Sequence, residues 1–235
     1  MDPGTGPGAA RPLGRFSPDT AEGSGHGRSE RRHGNGQQTG STMRIVVIDH
    51  VTLDGVMQGP GRPDEDTRGG FTHGGWAAER AGDAAIHREW GRRLAAGSGY
   101  LLGRRTYQDV LTYWNTRDSP FRAALNDAPK YVASRTLTDP LPWPNSTVLD
   151  GDVPAAVAAL RDTPGGDLHI MGSGALIRSL APLGLVDAYL LCIHPIVLGT
   201  GRRLFDDGFA PAAFDVADVT RTDSGVLVAD YRSRT

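Results

Sequence analysis

Leu168-His-Ile-Met-Gly-Ser-Gly-Ala-Leu-Ile-Arg-Ser-Leu180 is the stretch on which the fold turns. Residues 168–171 form a short apolar run of strand length, and Ala175 to about Leu180 carries helical spacing. Between them stands Gly172-Ser-Gly174. Glycines at a strand-to-helix junction let a ligand approach the backbone, and the helix start offers unpaired N–H groups to an anion. A pyrophosphate would suit this place. The dinucleotide fingerprint of the Rossmann type is incomplete, because Ile177 stands where the third glycine belongs. A plain glycine turn is the other reading.

Three further junctions share the design. Leu101-Leu-Gly-Arg-Arg-Thr-Tyr107 places Arg104 and Arg105 beside Thr106 as a helix start, a natural phosphate cradle. Val132-Ala-Ser-Arg-Thr136 puts two hydroxyls and a guanidinium after a strand, which suits a ribose 2′-phosphate and hence NADPH over NADH. Pro195-Ile-Val-Leu-Gly-Thr-Gly201 ends an apolar run in glycines that allow a sharp turn. Each alone also reads as a turn, a capped surface helix or a polar loop. Their coincidence in one chain points to a nucleotide site.

Outward from these junctions, strands and helices alternate. Arg44–Asp49 reads as a buried first strand, 58–75 as a long aperiodic loop of the kind that often serves as a lid, and 84–96 as a helix with Ile86, Trp90 and Leu94 on one face. A strand at 100–102, a helix at 106–113, strands at 130–133 and 147–149, and a helix at 153–161 follow. Val186–Val197 reads as a long strand that could bury against a partner. Phe214–Thr222 and Val226–Arg232 flank Asp223-Ser-Gly225 as a β-hairpin. The pattern predicts an α/β domain: a mostly parallel sheet, helices on both faces, and a C-terminal antiparallel hairpin.

Residues 1–42 stand apart. They hold ten glycines and no Val or Ile, with Leu13 and Phe16 the large apolar residues besides Met1. Such a segment cannot offset its ordering entropy, so the expectation is a disordered extension over 1–42 and one domain over 43–235. Met43 is a candidate start for the chain.

Composition removes several function classes. A net charge of −2 gives no field for nucleic acid or anionic lipid. The lone Cys192 excludes an internal disulfide and thiolate metal sites, and its apolar surroundings read as core. The seven histidines show no paired spacing, so no metal is expected. No apolar run reaches 18 residues and no signal-like segment opens the chain, which gives a cytoplasmic expectation.

In order and spacing, Thr52-Leu-Asp-Gly55, Leu101–Tyr107, Ser134–Thr136, Met171–Leu176, Gly184-Leu-Val-Asp187 and Pro195–Gly201 with Leu204-Phe205 resemble the dihydrofolate-reductase-like family. The nearer branch is the reductase domain of bacterial riboflavin biosynthesis, and the likeness spans about 43–232. It implies a three-layer reductase fold, NADPH as cofactor and a homodimer. Carried over by position, Gly103, Arg104, Arg105 and Thr106 would meet the cofactor phosphates, and Ser134, Arg135 and Thr136 the adenosine end. Gly172, Ser173, Gly174, Ala175 and Leu176 would line the pyrophosphate and nicotinamide side. True dihydrofolate reductases carry a pterin-orienting acid near the start of the first long helix, and Glu79, Asp83 and Glu89 lie in that neighbourhood here. The zinc signature of the companion deaminase domain is missing, since one cysteine cannot supply it.

Hydride transfer demands close placement and a dry site. Asp54 is the candidate proton-supplying group, with His50 as a further possibility. Thr52, Gly55, Phe71 and Trp76 are candidate substrate contacts, and His73 lies beside them. The expected substrate is a small heterocycle, imine or carbonyl. Ribosylaminopyrimidine reduction, folate reduction, a flavin-dependent oxidoreductase and a non-catalytic nucleotide-binding module are the alternatives.

Overall fold

The computed structural model of the protein describes residues 42–234. The expected disorder of 1–42 falls, apart from Thr42, outside the described residues. Thr42 itself pairs with Pro164.

The described chain runs β1 (Ile45–Thr52), α1 (Ala78–Ala81), α2 (Ala84–Ala96), β2 (Gly97–Gly103), α3 (Arg104–Asn115), α4 (Pro120–Asp127), β3 (Lys130–Ala133) and β4 (Ser146–Leu149). It continues with α5 (Val153–Arg161), β5 (Asp167–Met171), α6 (Gly174–Leu180), β6 (Ala188–His194), β7 (Phe214–Arg221) and β8 (Leu227–Ser233). The eight strands form one sheet in the order β4-β3-β2-β5-β1-β6-β8-β7. All pairings from β4 to β6 are parallel, and β8 joins β6 and β7 antiparallel. This is the mostly parallel α/β sheet with a C-terminal antiparallel hairpin that the sequence pattern predicts, and the dihydrofolate-reductase-like architecture that the resemblance implies.

Alternation along the strands sorts the core into two layers. Ile45, Val47, Leu101, Leu168, Ile170 and Leu191 meet Val157 of α5 and Leu176, Ile177 and Leu180 of α6 on one face. Val46, Ile48, Leu190 and Cys192 meet Ile86 of α2 on the other, where α3 and α4 add Tyr107, Leu111 and Leu125 against Tyr100, Leu102 and Val132. Each such buried aliphatic side chain contributes roughly 1.5–3 kcal/mol relative to exposure. Cys192 is a buried member of this core, and its thiol accepts from Trp90 Nε1.

Lys130, the single lysine, is buried at the start of β3. Its Nζ donates to the carbonyls of Leu125, Asn126 and Ala128, closing the C-terminal end of α4. That helix has Ser119 as its side-chain cap, a signal the sequence reading passed over. Two other expectations change. The strand read as Val186–Val197 spans Ala188–His194, and it lies inside the sheet between β1 and β8. It is therefore not a free face for a partner. Thr106 is not the start of its helix: α3 begins at Arg104 after the extended Gly103, with no side-chain cap.

Candidate active site at the strand ends

β2 and β5 are sheet neighbours, yet α3 leaves β2 toward one face and α6 leaves β5 toward the other. Adjacent parallel strands whose helices diverge leave a crevice at their carboxyl ends, the usual ligand position in such sheets. Ser173 occupies this divide. Its Oγ accepts from Gly103 N at 2.9 Å and lies 2.9 Å from Thr106 Oγ1, linking the two strand ends. Ser173 itself is left-handed, at φ 63°, a conformation that an L residue holds at a cost of about 1–3 kcal/mol. Two expected phosphate-site residues, Gly103 and Thr106, are thus brought together with Ser173.

The glycines divide by role. Gly172 is left-handed at φ 55°, and a Cβ there would lie 3.5 Å from Thr106. At Gly174 a Cβ would lie 2.9 Å from Met57 Sδ and 3.3 Å from the Arg178 guanidinium. Both are the far ends of flexible side chains, so a Cβ at Gly174 would ask Met57 and Arg178 to shift rather than the backbone. Leu176 is a buried core residue, whereas Ala175 is exposed.

β3 lies on the far side of β2, with Ala133 opposite Gly103. Ser134 is buried, and its Oγ accepts from Thr136 N and Leu137 N. It shapes the turn that presents Arg135 and Thr136, both exposed. Arg135 and Arg105 make no hydrogen bond or ion pair among the described residues. Arg104 reaches Gln108 on its own helix.

The tip of β1 departs most from expectation. Asp54 accepts from Thr52 Oγ1 at 2.6 Å, Leu198 N at 3.2 Å and Gly199 N at 2.9 Å, with the Arg203 guanidinium 3.4 Å away. These donors, the Thr52 hydroxyl foremost, hold its carboxyl down at about 2. Asp54 is thus an ionised anchor joining β1 to 195–204, not a proton supply. Thr52 also accepts from Val56 N, and Gly55 adopts φ 80°, so both build this turn.

Phe71 and Trp76 are buried with Val56 and Ala77 in a small separate core. Trp76 Nε1 donates to Gln58 O. Their expected substrate contact gives way to packing, since their apolar rings stabilise the fold more when buried than when held open to water. His73 is exposed, edge-on to Phe71. The 58–75 segment is tied down rather than hung as a lid. Gln58 Nε2 donates to Asp66 O and Arg68 O, and Arg62 pairs with Asp109 of α3 and lies over the Tyr113 ring.

Beyond these residues the fold assembles groups that sequence reasoning did not combine. His50 and His194, diagonal neighbours across the β1–β6 ladder where His50 pairs with Cys192 and Thr52 with His194, form a hydrogen bond of 2.8 Å between Nδ1 and Nε2. Trp90 lies against His50, and Trp76 meets His194 edge-on. Burial, then the neighbouring imidazole, pushes His50 down to about 3, and burial, then Arg80, pushes His194 down to about 4. Asp49, next to His50, is buried, and burial pushes its carboxyl up to about 8. A Cys192-to-His194 period-2 step on the strand was the available signal for His194. Of the three acids near the first long helix, Asp83 caps α2 through Ala85 N, Glu89 pairs with Arg92 and Arg93, and Glu79 is exposed.

A cavity of about 220 Å³ opens beside α6, where Arg178, Arg202 and Arg203 face Asp206 and Asp207.

Comparison with known proteins agrees with this architecture. The family model described as the RibD C-terminal domain matches residues 44–228. YyaP of Bacillus subtilis is 35% identical over 103 residues, a match covering 43% of this chain and 53%, about half, of that relative. Among solved structures, a protein of Shewanella sp. PV-4 assigned to riboflavin biosynthesis superposes with a TM-score of 0.64 at 21% identity, over 82% of this chain and 100% of its own. A pyrimidine reductase-like protein of Corynebacterium diphtheriae gives 0.57 at 14% identity, over 82% and 92%. RibD of Acinetobacter baumannii gives 0.55 at 13%, over 83% and 59%.

Proposed function

The chain belongs to the RibD C-terminal domain family, and from that premise we propose that it is an NADPH-dependent reductase acting on a small heterocycle, imine or carbonyl compound. The observation that carries this reading is the Ser173 link between the glycine-bearing ends of β2 and β5, at the point where α3 and α6 diverge.

The residues at this divide suit a dinucleotide. Helix α3 has no side-chain cap and no acid in its first turn, so its leading amides and its positive dipole end are open to an anion. Among the described residues Arg105 stands there without a partner, and Arg135 does so one strand further out. In this reading Arg104, Arg105 and the α3 start bind the phosphates, with Thr106 and Ser173 fixing their cradle. Arg135 and Thr136 take the 2′-phosphate end, and Gly172 keeps the backbone low beneath the nicotinamide side. Bound NADPH would supply the hydride. The protein's part is placement, exclusion of water, and proton supply at the acceptor.

In the cavity beside α6, Arg178 and Arg203 pair with Asp206 and Asp54 and Asp207 adds a further acid, so its lining selects no acceptor class; ribosylaminopyrimidine reduction and folate reduction stand as alternatives within this reading. We further propose a cytoplasmic homodimer. The long edge strand β7, with Val216 and Val219 exposed, offers the self-pairing surface that β6 does not.

Titration of the purified protein with NADPH and NADH, followed by turnover against pyrimidine, pterin, imine and carbonyl acceptors, tests the reading. Binding with preference for NADPH and oxidation of NADPH by one acceptor class are expected. Absence of nucleotide binding would refute it, and binding without any turnover would favour the nucleotide-binding module.

A further inference from the structure

Strand β1 outruns its neighbour β5. Their ladder ends at Ile48 opposite Met171, after which left-handed Gly172 and Ser173 carry the chain into α6. β1 continues to Thr52 beside β6. Alternation directs the Arg44 carbonyl to Leu168 of β5 and the Ile45 carbonyl to Asp187 on the β6 side. The same alternation turns the His50 amide toward β5, where no strand remains. Asp49 Oδ1 accepts that amide at 2.8 Å. The carboxyl therefore sits in the gap that opens between β1 and β5, at the level of Gly172.

One oxygen of Asp49 completes the backbone; the other does not. Asp49 Oδ2 is buried and has no hydrogen-bond partner among the described residues. A buried polar atom left unpaired costs free energy, and such atoms call for an explanation beyond the fold. An asparagine would satisfy the His50 amide equally well, so the backbone contact does not explain why an acid is present.

We propose that Asp49 is a catalytic acid: its protonated Oδ2 donates to the heteroatom of the reducible C=N or C=O bond of an acceptor seated in the β1–β5 gap. The assignment rests on the reductase reading above. In the step, the acceptor carbon gains a hydride from the bound dihydronicotinamide, which is oxidised. The acceptor nitrogen or oxygen gains the Asp49 proton, and the remaining carboxylate is reprotonated from solvent. Oδ2 is enclosed before the acceptor arrives, so the acceptor must displace what covers it.

The surroundings keep this acid protonated near neutral pH. Burial raises Asp49 to about 8 and Glu65 of the 58–75 segment adds to the rise, against the lowering effect of the His50 amide. Glu65 is itself held above its usual range by burial, and Cys192 on β6 is pushed up to about 12. The His50 and His194 imidazoles are neutral at pH 7. Among the described residues no basic side chain pairs with Asp49, in contrast to Asp54 beside Arg203.

The test combines a titration with kinetics. Carboxyl ¹³C NMR of aspartate-labelled protein should show a signal that titrates near pH 8 in the wild type and is absent from D49N. An Asp49 signal titrating in the ordinary carboxylate range would overturn the proposal. NADPH oxidation is then followed with dihydrofolate, 9,10-phenanthrenequinone and 2-methyl-1-pyrroline as acceptors. The expected kcat falls tenfold per pH unit above about pH 8. D49N should lose about 100-fold or more in kcat, with NADPH affinity unchanged within about twofold, and D49E should recover part of the rate. Wild-type kcat in D49N, or a wild type that binds NADPH yet reduces none of the three, would overturn it. A wild type that binds no NADPH would instead remove the reductase reading on which it stands.

Discussion

His50 and His194 meet diagonally near the ends of β1 and β6, where the ladder sets His50 opposite Cys192 and His194 opposite Thr52, with Nδ1 and Nε2 2.8 Å apart. Two imidazoles at that distance share one proton between facing nitrogens. Neither can take up a second proton without placing a charge beside its neighbour in a largely dry site. His194 Nδ1 is buried without a partner, which sharpens the penalty.

This pair makes stability depend on pH in a stated direction. The folded values, about 3 and about 4, lie below the ordinary 6.5, so the unfolded chain binds more protons between pH 4 and 6.5. Stability is therefore full above about pH 6.5 and is lost as pH falls through that window. His194 alone should account for roughly 2 kcal/mol between pH 7 and pH 5. Urea denaturation at the two pH values, on wild type and H194Q, measures this; an H194Q slope equal to the wild-type slope would count against it.

Ser173→Ala removes the acceptor for Gly103 N and the contact with Thr106 Oγ1. The variant should lose about 1–2 kcal/mol in denaturant unfolding. NADPH affinity should fall by about tenfold, equivalent to 1.4 kcal/mol, because the two strand ends lose their tie. Unchanged affinity in a folded variant would place the nucleotide elsewhere.

Arg135→Ala should leave stability within about 0.5 kcal/mol, since the side chain is exposed and has no partner among the described residues. Its NADPH affinity should fall roughly tenfold while NADH affinity holds, as expected for loss of a charged partner to the 2′-phosphate. Equal losses for both nucleotides, read by fluorescence titration, would remove Arg135 from that end of the site.

Asp54→Ala should destabilise the protein by roughly 1–3 kcal/mol, because the amides of Leu198 and Gly199 lose their acceptor. The folded carboxyl, near 2, lies below the ordinary 3.8. Its contribution is therefore present above about pH 4 and lost as pH falls toward 2. An acid titration by circular dichroism should show a shallower loss in D54A over that range. If the variant matched the wild type, the anchoring role would fail.

Trp76→Ala should cost about 3–5 kcal/mol, as expected for emptying a small apolar core. Trp76→Phe should cost closer to 1 kcal/mol, through loss of the bond to Gln58 O. Thermal unfolding distinguishes this from a surface substrate contact, whose removal would leave Tm nearly unchanged.

The strand and helix run from Leu168 to Leu180, the helix at 84–96 and the final hairpin were readable because apolar spacing and glycine placement are local properties of the chain. The cradle of Gly103, Thr106 and Ser173 was legible as separate junctions, though not as a contact. Phe71, Trp76 and Asp54 were misplaced for one reason: an aromatic ring or a carboxylate in a glycine-rich segment looks the same whether it turns outward to a ligand or inward to its own loop. Whether Gln58 or Leu198 is there to receive it depends on distant chain.

The sequence by itself determined which segments could be strands and helices, that the sheet is largely parallel, and which family pattern the junctions follow, since periodicity and turn chemistry act over a few residues. Only the tertiary structure decided that β1 outruns β5 and leaves the Asp49 carboxyl half-satisfied in a gap, and that His50 meets His194 from 144 residues away. Strand order and register set those neighbours, and burial then sets their charge. Neither is a property of any short stretch of chain.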